Sequence, residues 1–173
     1  MFKFSLQSLL VTTLLSTAAV AQTCNVNILP TTPSDNFTVS NNGTVTDNKT
    51  GLIWMRCSLG QTWTGSECSG SPVAYTWKEA LTEGKEQVFA GSSLWRLPNI
   101  KELGSIYEAS CADPAVNETL FWEDSISQVY WSSTPNVNQV DGAWYIKFND
   151  SLDNNFSFKK SNLFHVRLVR DEY

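Results

Sequence analysis

The hydrophobic pattern of this chain opens its folded part with short extended segments. Phe37–Val39 and Thr44–Thr46 flank Asn41, Asn42 and Gly43, where an Asn-Gly pair supplies the positive φ of a tight hairpin turn. Asp47–Gly51 predicts a second turn, and Leu52–Met55 is a continuous apolar run, as in a strand covered on both sides. Thr76 and Glu79 fit a capping box, so a helix is predicted to start there. Trp77, Ala80, Leu81 and Val88 fall on its dry face, with Lys78, Glu79, Glu83 and Glu86 toward water. Asn99 and Glu102 repeat the box, and Ile100, Leu103 and Tyr107 form the stripe of a second, shorter helix that ends before Cys111.

From Val129 the signal becomes strand-like. Val129–Trp131, Ala143–Phe148, Phe156–Lys160 and Phe164–Val169 are separated by Asn, Asp, Gly and Pro clusters and read as consecutive antiparallel strands. In the second of these Trp144, Ile146 and Phe148 share one face and Tyr145 and Lys147 the other, the pattern of a half-buried strand. In the last, Phe164, Val166 and Leu168 lie opposite His165, Arg167 and Val169. An N-terminal hairpin, two helices and a late sheet predict an α+β fold in one domain, residues 37–173. Residues 22–36 carry turn and extended residues without periodicity and read as a lead-in.

Ahead of that lies a different pattern. Met1–Lys3 starts positive, Leu9–Ala21 is uncharged and mostly apolar, and Ala19-Val20-Ala21 has the small-x-small form that signal peptidase accepts. Residues 1–21 are therefore expected to be a cleaved secretory signal, since the run falls short of the roughly 20 residues that a bilayer demands. No later stretch is long and apolar enough to span, so the mature chain is expected to be secreted, periplasmic or at the cell surface. Cys24, Cys57, Cys68 and Cys111 all follow the cleavage site, and an even count in an exported chain implies disulfides. Three pairings are open. Cys57 and Cys68 bracket a short Gly-rich segment able to close locally, which favours Cys57–Cys68 and leaves Cys24–Cys111 to tie the lead-in to the body. Zinc ligation by these thiols lacks a C-x-x-C pair and has only His165 to draw on.

The chain has 173 residues, enough for one domain with a real core. Charged residues make up 17% and aromatics 12%, the profile of a compact folded protein rather than a disordered polyanion. The net charge is −5, and one unit more negative without the segment that holds Lys3. That balance lacks the basic footprint that phosphate backbones require, so nucleic acid is not an expected partner.

Five segments, in order, carry a resemblance: GTVTDNKTGLIWMRC (43–57), WRLPNIKEL (95–103), YWSSTP (130–135), AWYIKF (143–148) and VRLVR (166–170). Together they closely resemble the bacterial family of C-terminal domains of collagen-like adhesins, over residues 37–171. The family is similar to the C-type lectin-like fold, also used by formylglycine-generating enzymes. The resemblance implies two helices packed on a twisted antiparallel sheet, with long loops presenting the binding surface. It also implies binding of sulfated glycosaminoglycans or related polysaccharides. The collagen repeat itself, a Gly-x-y tract, is absent from this sequence.

A Ser-His-Asp hydrolase would need His165, which stands in a predicted strand in a chain without a Gly-x-Ser-x-Gly elbow. Formylglycine-type oxidation needs reactive thiols, whereas these cysteines are expected in bridges. The acid pairs Glu123-Asp124 and Asp171-Glu172 read as solvated surface rather than a glycosidase dyad, and a non-enzymatic role is expected. Asn149, Asp150, Asp153, Asn154 and Asn155 crowd oxygen atoms into one predicted turn. Asp150 and Asp153 are the candidates for calcium, the one cofactor the pattern raises, although no EF-hand motif is present.

Trp54, Trp77, Trp95, Trp131 and Trp144 fall in predicted elements or in the family segments and are expected in the core. Trp63 and Trp122 fall in loops, where their rings can stack on sugar faces while groups such as Asp150 and Asn154 meet hydroxyls. Lys147, Lys159 and Lys160 are expected to cluster on the late hairpin and meet sulfate or carboxylate, and Arg96, Arg167 and Arg170 to bridge sheet and helix as ion pairs. The expected function is a secreted lectin-like module that recognises a polysaccharide or other surface glycan. The alternative is a structural or interaction domain of an envelope or surface assembly, contacting its own kind or other surface proteins.

Overall fold

The computed structural model of the chain describes residues 22–121, 129–148 and 157–172. The expected signal segment, residues 1–21, lies outside them. In chain order come β1 (Thr23–Cys24), β2 (Phe37–Val39), β3 (Thr44–Asp47), β4 (Ile53–Met55), β5 (Thr62–Trp63) and β6 (Cys68–Ser69). The helices α1 (Trp77–Glu86) and α2 (Ile100–Ser105) follow. The chain then forms β7 (Cys111–Ala112), β8 (Val129–Pro135), β9 (Gly142–Lys147), β10 (Ser157–Lys159) and β11 (Val169–Arg170). Among the described residues the architecture is α+β, with two α-helices and several antiparallel sheets.

The hairpin β2–β3 forms around Gly43, whose φ of +85° is the left-handed conformation the Asn-Gly pair predicted. Asp47 builds the next turn by accepting from Lys49 N at 2.9 Å and Thr50 Oγ1 at 2.7 Å. The first sheet has the order β11-β4-β3-β2 and the second β10-β9-β8, with Trp131 opposite Tyr145 and Ser157 opposite Trp144.

The last segment departs from expectation, because it does not extend the late sheet. Val169 and Arg170 cross back to pair with Trp54 and Ile53 of β4, and His165 joins the main chain of β8 through a single parallel bridge to Tyr130. Val166, Arg167, Leu168 and Val169 are all buried. A segment covered on both faces fits the seam between two sheets, not the outer edge of one.

Both capping boxes are present. Thr76 N donates to Glu79 Oε2 at 2.8 Å, and Asn99 N donates to Glu102 Oε2 at 2.7 Å. The first helix is shorter than its pattern predicted: it stops at Glu86, and Val88 is 70% exposed. The chain turns there through Ala90 and Gly91, both at positive φ, while Phe89 and Ser92 exchange backbone hydrogen bonds of 3.0 Å each way. Gly84, at mid-helix, is a point of close contact. A Cβ there would stand 3.0 Å from Leu97 N, so α1 lies directly against the backbone leading to α2.

Two apolar clusters make the core. One gathers Val45, Trp54, Leu103, Ile106, Tyr130, Phe148 and Val169; the other gathers Met55, Ala80, Trp95, Trp131, Tyr145, Val166 and Leu168. β9 feeds both, Ile146 into the first and Ala143 and Tyr145 into the second. The strand expected to be half-buried is thus covered on both faces. Tyr145, 7% exposed, meets the rings of Phe158 and Phe164 at 5.2 and 5.5 Å, while α2 packs on the Ile146 side. Of the five tryptophans expected inside, Trp54, Trp95 and Trp131 are buried, whereas Trp77 and Trp144 are only half-buried.

Both disulfides form as favoured, Cys57–Cys68 and Cys24–Cys111, with sequence separations of 11 and 87. In the chain-entropy picture loops of that size contribute about 3 and about 4.5 kcal/mol. Among the described residues no helix is long and apolar enough to cross a membrane.

Candidate functional site

The Cys57–Cys68 bridge closes a loop whose hairpin sets Trp63 opposite Cys68. This leaves Trp63 half-buried and held from three sides. Its indole N–H donates to Asn41 O at 2.9 Å. Gly43 packs so close that a Cβ there would lie 2.6 Å from Trp63 Cγ. The Arg56 guanidinium stands 4.7 Å from the ring centre, itself anchored by the carbonyls of Leu120 and Thr119 at 2.9 Å each. A ring fixed in this way loses little conformational freedom when something docks on it.

Beside Trp63 runs a groove of about 250 Å³. Met55, Leu59 and Phe89 give it apolar walls, and Gln61, Thr62 and Gln87 give it polar ones. Gln61 is engaged by its own loop, accepting from Ser58 N at 3.0 Å and donating to Gly70 O at 3.3 Å. Gln87 donates to Val88 O at 3.3 Å; its Oε1, like the Thr62 hydroxyl, has no hydrogen-bond partner among the described residues. The aromatic part of this site was legible, since Trp63 was expected in a loop exposed to a ligand; the structure instead sets it on the short strand β5. Gln87 and Phe89 were not legible, because they reach the groove only through the early stop of α1 and the turn after it.

The three lysines are not brought together. Lys147 pairs with Val129 at one end of β9 and Lys159 pairs with Gly142 at the other, so about 17 Å of strand separates them. Lys160 is committed elsewhere: its ammonium stands 4.6 Å from the Trp77 ring centre and donates to Val140 O at 2.8 Å. The expected cluster is dispersed because hairpin register, which sequence proximity does not reveal, sets the spacing. Trp122, Glu123, Asp124, Asn149, Asp150, Asp153, Asn154 and Asn155 lie outside the described residues. Among the described residues no group of three or more His, Cys, Asp or Glu side chains is placed to hold a metal ion.

The arginines divide. Arg96 makes the expected bridge, 2.7 Å from Glu102 and 3.2 Å from Asp171, and so ties α2 to the segment after β11. Arg167, 1% exposed, instead donates to the main-chain carbonyls of Met55, at 3.1 Å, and Arg56, with its guanidinium 5.2 Å from the Phe121 ring. Arg170 lies 5.6 Å from the Trp95 ring centre. His165 is half-buried, and its Nδ1 is sealed from solvent with no partner among the described residues. Burial pushes its pKa down, against the opposing pull of the Val73 carbonyl.

One ionisable residue escaped the sequence reading. Glu108 is 3% exposed and accepts hydrogen bonds from Thr31 N, from Thr32 N and Oγ1, and from Ser110 N and Oγ, at 2.6 to 3.0 Å. Burial alone would raise its pKa, but the Ser110 and Thr32 bonds prevail and hold it at about 2. The lead-in is therefore gripped by a carboxylate as well as by Cys24. No local motif marks Glu108, whose partners in the lead-in lie 76 and 77 residues away.

The sequence profile of the Lcl C-terminal domain matches residues 43–170, most of the chain. The protein belongs to the Lcl C-terminal domain family. No curated protein and no solved structure matches it. Within this Lcl C-terminal domain the matched span begins at Gly43 and takes in Arg56, Trp63, both helices and β11. Cys24, Thr31 and Thr32 precede it, so the grip on Glu108 and the bridge to Cys111 join the matched span to residues outside it.

Proposed function

We propose that this Lcl C-terminal domain is a non-enzymatic binding module with a C-type lectin-like arrangement of helices and sheets, exported from the cytoplasm, that recognises a polysaccharide or another surface glycan. The observation that carries the reading is Trp63. Its ring is half-buried, fixed by Asn41, Gly43 and Arg56, and set at a groove with unengaged polar atoms. Sugars present an apolar face edged by hydroxyls, and such a ring beside an amide and a hydroxyl answers both. Export is supported by the pattern of residues 1–21 and by two disulfides, which persist in oxidising compartments.

A glycan array run with and without calcium tests the reading, comparing the native protein with Trp63→Ala. Binding by the native protein and a loss of about tenfold or more in the variant are expected. No binder under either condition discards it. A second reading, an interaction domain within a surface assembly, draws on Val137 and Val140, which are 88% and 89% exposed in the turn between β8 and β9. It predicts concentration-dependent self-association in sedimentation, abolished by Val137→Ser with Val140→Ser.

A further inference from the structure

We infer that the Cys24–Cys111 disulfide is a site of thiol–disulfide exchange, at which a small thiol adds to Cys24 and frees residues 22–30 as an arm hinged at Thr31. The two bridges of this chain stand in different surroundings. Cys57 and Cys68 are 2% and 6% exposed, whereas Cys24 is exposed, Cys111 is half-buried, and both line an open cavity of about 340 Å³. Exchange requires a thiolate to reach a sulfur along the line of the bond that breaks, so exposure decides which bridge is attacked and at which end. The incoming thiolate bonds to Cys24 Sγ, and the electron pair of the old bond passes to Cys111 Sγ, which takes a proton from solvent. A second thiol then displaces the first from Cys24, leaving two protein thiols and a small disulfide.

The rest of what holds the lead-in is unevenly placed. Thr31 and Thr32 are gripped by Glu108, and Thr31 Oγ1 also donates to Tyr107 O at 2.7 Å. Ahead of them, Gln22 Nε2 donates to the carbonyls of Pro114 and Val116 at 2.6 Å each, Asn25 N donates to Ser110 O at 2.7 Å, and β1 pairs with β7 over two residues. Every residue from Thr23 to Thr31 is exposed, so the arm is held by surface hydrogen bonds for which water competes, and not by apolar burial. Once the bridge opens, those bonds give way first and the Glu108 grip stops the opening at Thr31. Cys24 also precedes the family-matched span, so the arm can leave without disturbing contacts made within residues 43–170.

The test treats the disulfide-bonded protein with reduced glutathione, quenches with iodoacetamide at intervals and maps the products by peptide mass. Glutathione is expected on Cys24 and the alkyl group on Cys111, with Cys57–Cys68 opening at least about tenfold more slowly. Hydrogen exchange then reads the arm. After selective opening the Asn25 amide should lose protection while those of Thr31 and Thr32 keep theirs. A variant carrying both Cys24→Ser and Cys111→Ser, which bears no added group, should show the same pattern and retain the native tryptophan fluorescence. Earlier attack at Cys57–Cys68, opening of both bridges at one rate, or glutathione on Cys111 would overturn the inference. So would loss of protection at Thr31 and Thr32 together with Asn25, or protection kept at all three. None of these outcomes bears on whether the Trp63 groove binds a glycan.

Discussion

Replacing Glu108 with glutamine keeps the shape of the side chain and removes its charge. In the native chain Oε1 accepts from Thr31 N at 3.0 Å, Ser110 N at 2.9 Å and Ser110 Oγ at 2.6 Å, and Oε2 accepts from Thr32 N and Oγ1 at 2.8 Å each. Burial opposes ionisation, the bonds from Ser110 and Thr32 favour it, and the pKa settles at about 2 against an ordinary 4.5. The difference corresponds to about 3 kcal/mol of stability at neutral pH. Because the folded value lies below the unfolded one, this contribution is complete above the unfolded pKa and drains away as the pH falls toward 2. In the variant an amide NH₂ must face a backbone N–H, so the whole contribution should be lost at pH 7. With a urea dependence of about 2 kcal/mol per molar, the midpoint should fall by about 1.5 M. The gap between native and variant should close between about pH 5 and pH 2. Hydrogen exchange gives a second readout, since the Cys24–Cys111 bridge keeps the lead-in tethered: the amides of Thr31, Thr32 and Ser110 should lose protection before those of the core. A gap under about 0.5 kcal/mol at neutral pH, or one insensitive to pH, would refute the reasoning.

Three further outcomes are expected. Gly43→Ala sets a Cβ 2.6 Å from Trp63 Cγ and 2.9 Å from Phe89 Cζ at a φ of +85°; it should cost about 2 kcal/mol or more and shift tryptophan fluorescence, and an unaltered spectrum and melting temperature would contradict the packing described. Arg167→Met strips the buried carbonyls of Met55 and Arg56 of a donor and should cost about 3 kcal/mol in denaturant unfolding, whereas a variant as stable as its parent would show those bonds to be idle. His165 has a folded pKa below 6.5, so the unfolded chain takes up its proton first and stability should fall as the pH drops through 6.5, above the Glu108 window. A His165→Gln variant should lack that slope in melting temperature against pH.

What could be read from the sequence was what neighbours decide. The two capping boxes, the Asn-Gly turn and the short cysteine loop each involve residues a few positions apart, and each formed as its local chemistry dictates. What could not be read depended on partners far along the chain. Phe164–Val169 announced a strand but not that Val169 would join β4, because alternating apolar residues specify faces and not neighbours. Lys147 and Lys159 looked adjacent until register set them at opposite ends of β9. Glu108 carries no pattern at all; its environment exists only once the lead-in has been folded back across the chain. At the candidate site, Trp63 was visible as an aromatic expected in a loop, whereas the groove beside it required the path of the chain beyond α1.

The return of β11 to β4 governs how the molecule can come into being. Arg167 reaches carbonyls 111 and 112 residues earlier, and Arg96 exchanges main-chain bonds with Val169. A chain emerging N-terminus first therefore cannot complete these contacts until its final stretch arrives. Cys57 can find Cys68 as soon as that loop has emerged, but the frame around them is unfinished until the tail locks in. Cutting the tail short should yield a protease-sensitive chain, not a smaller working domain.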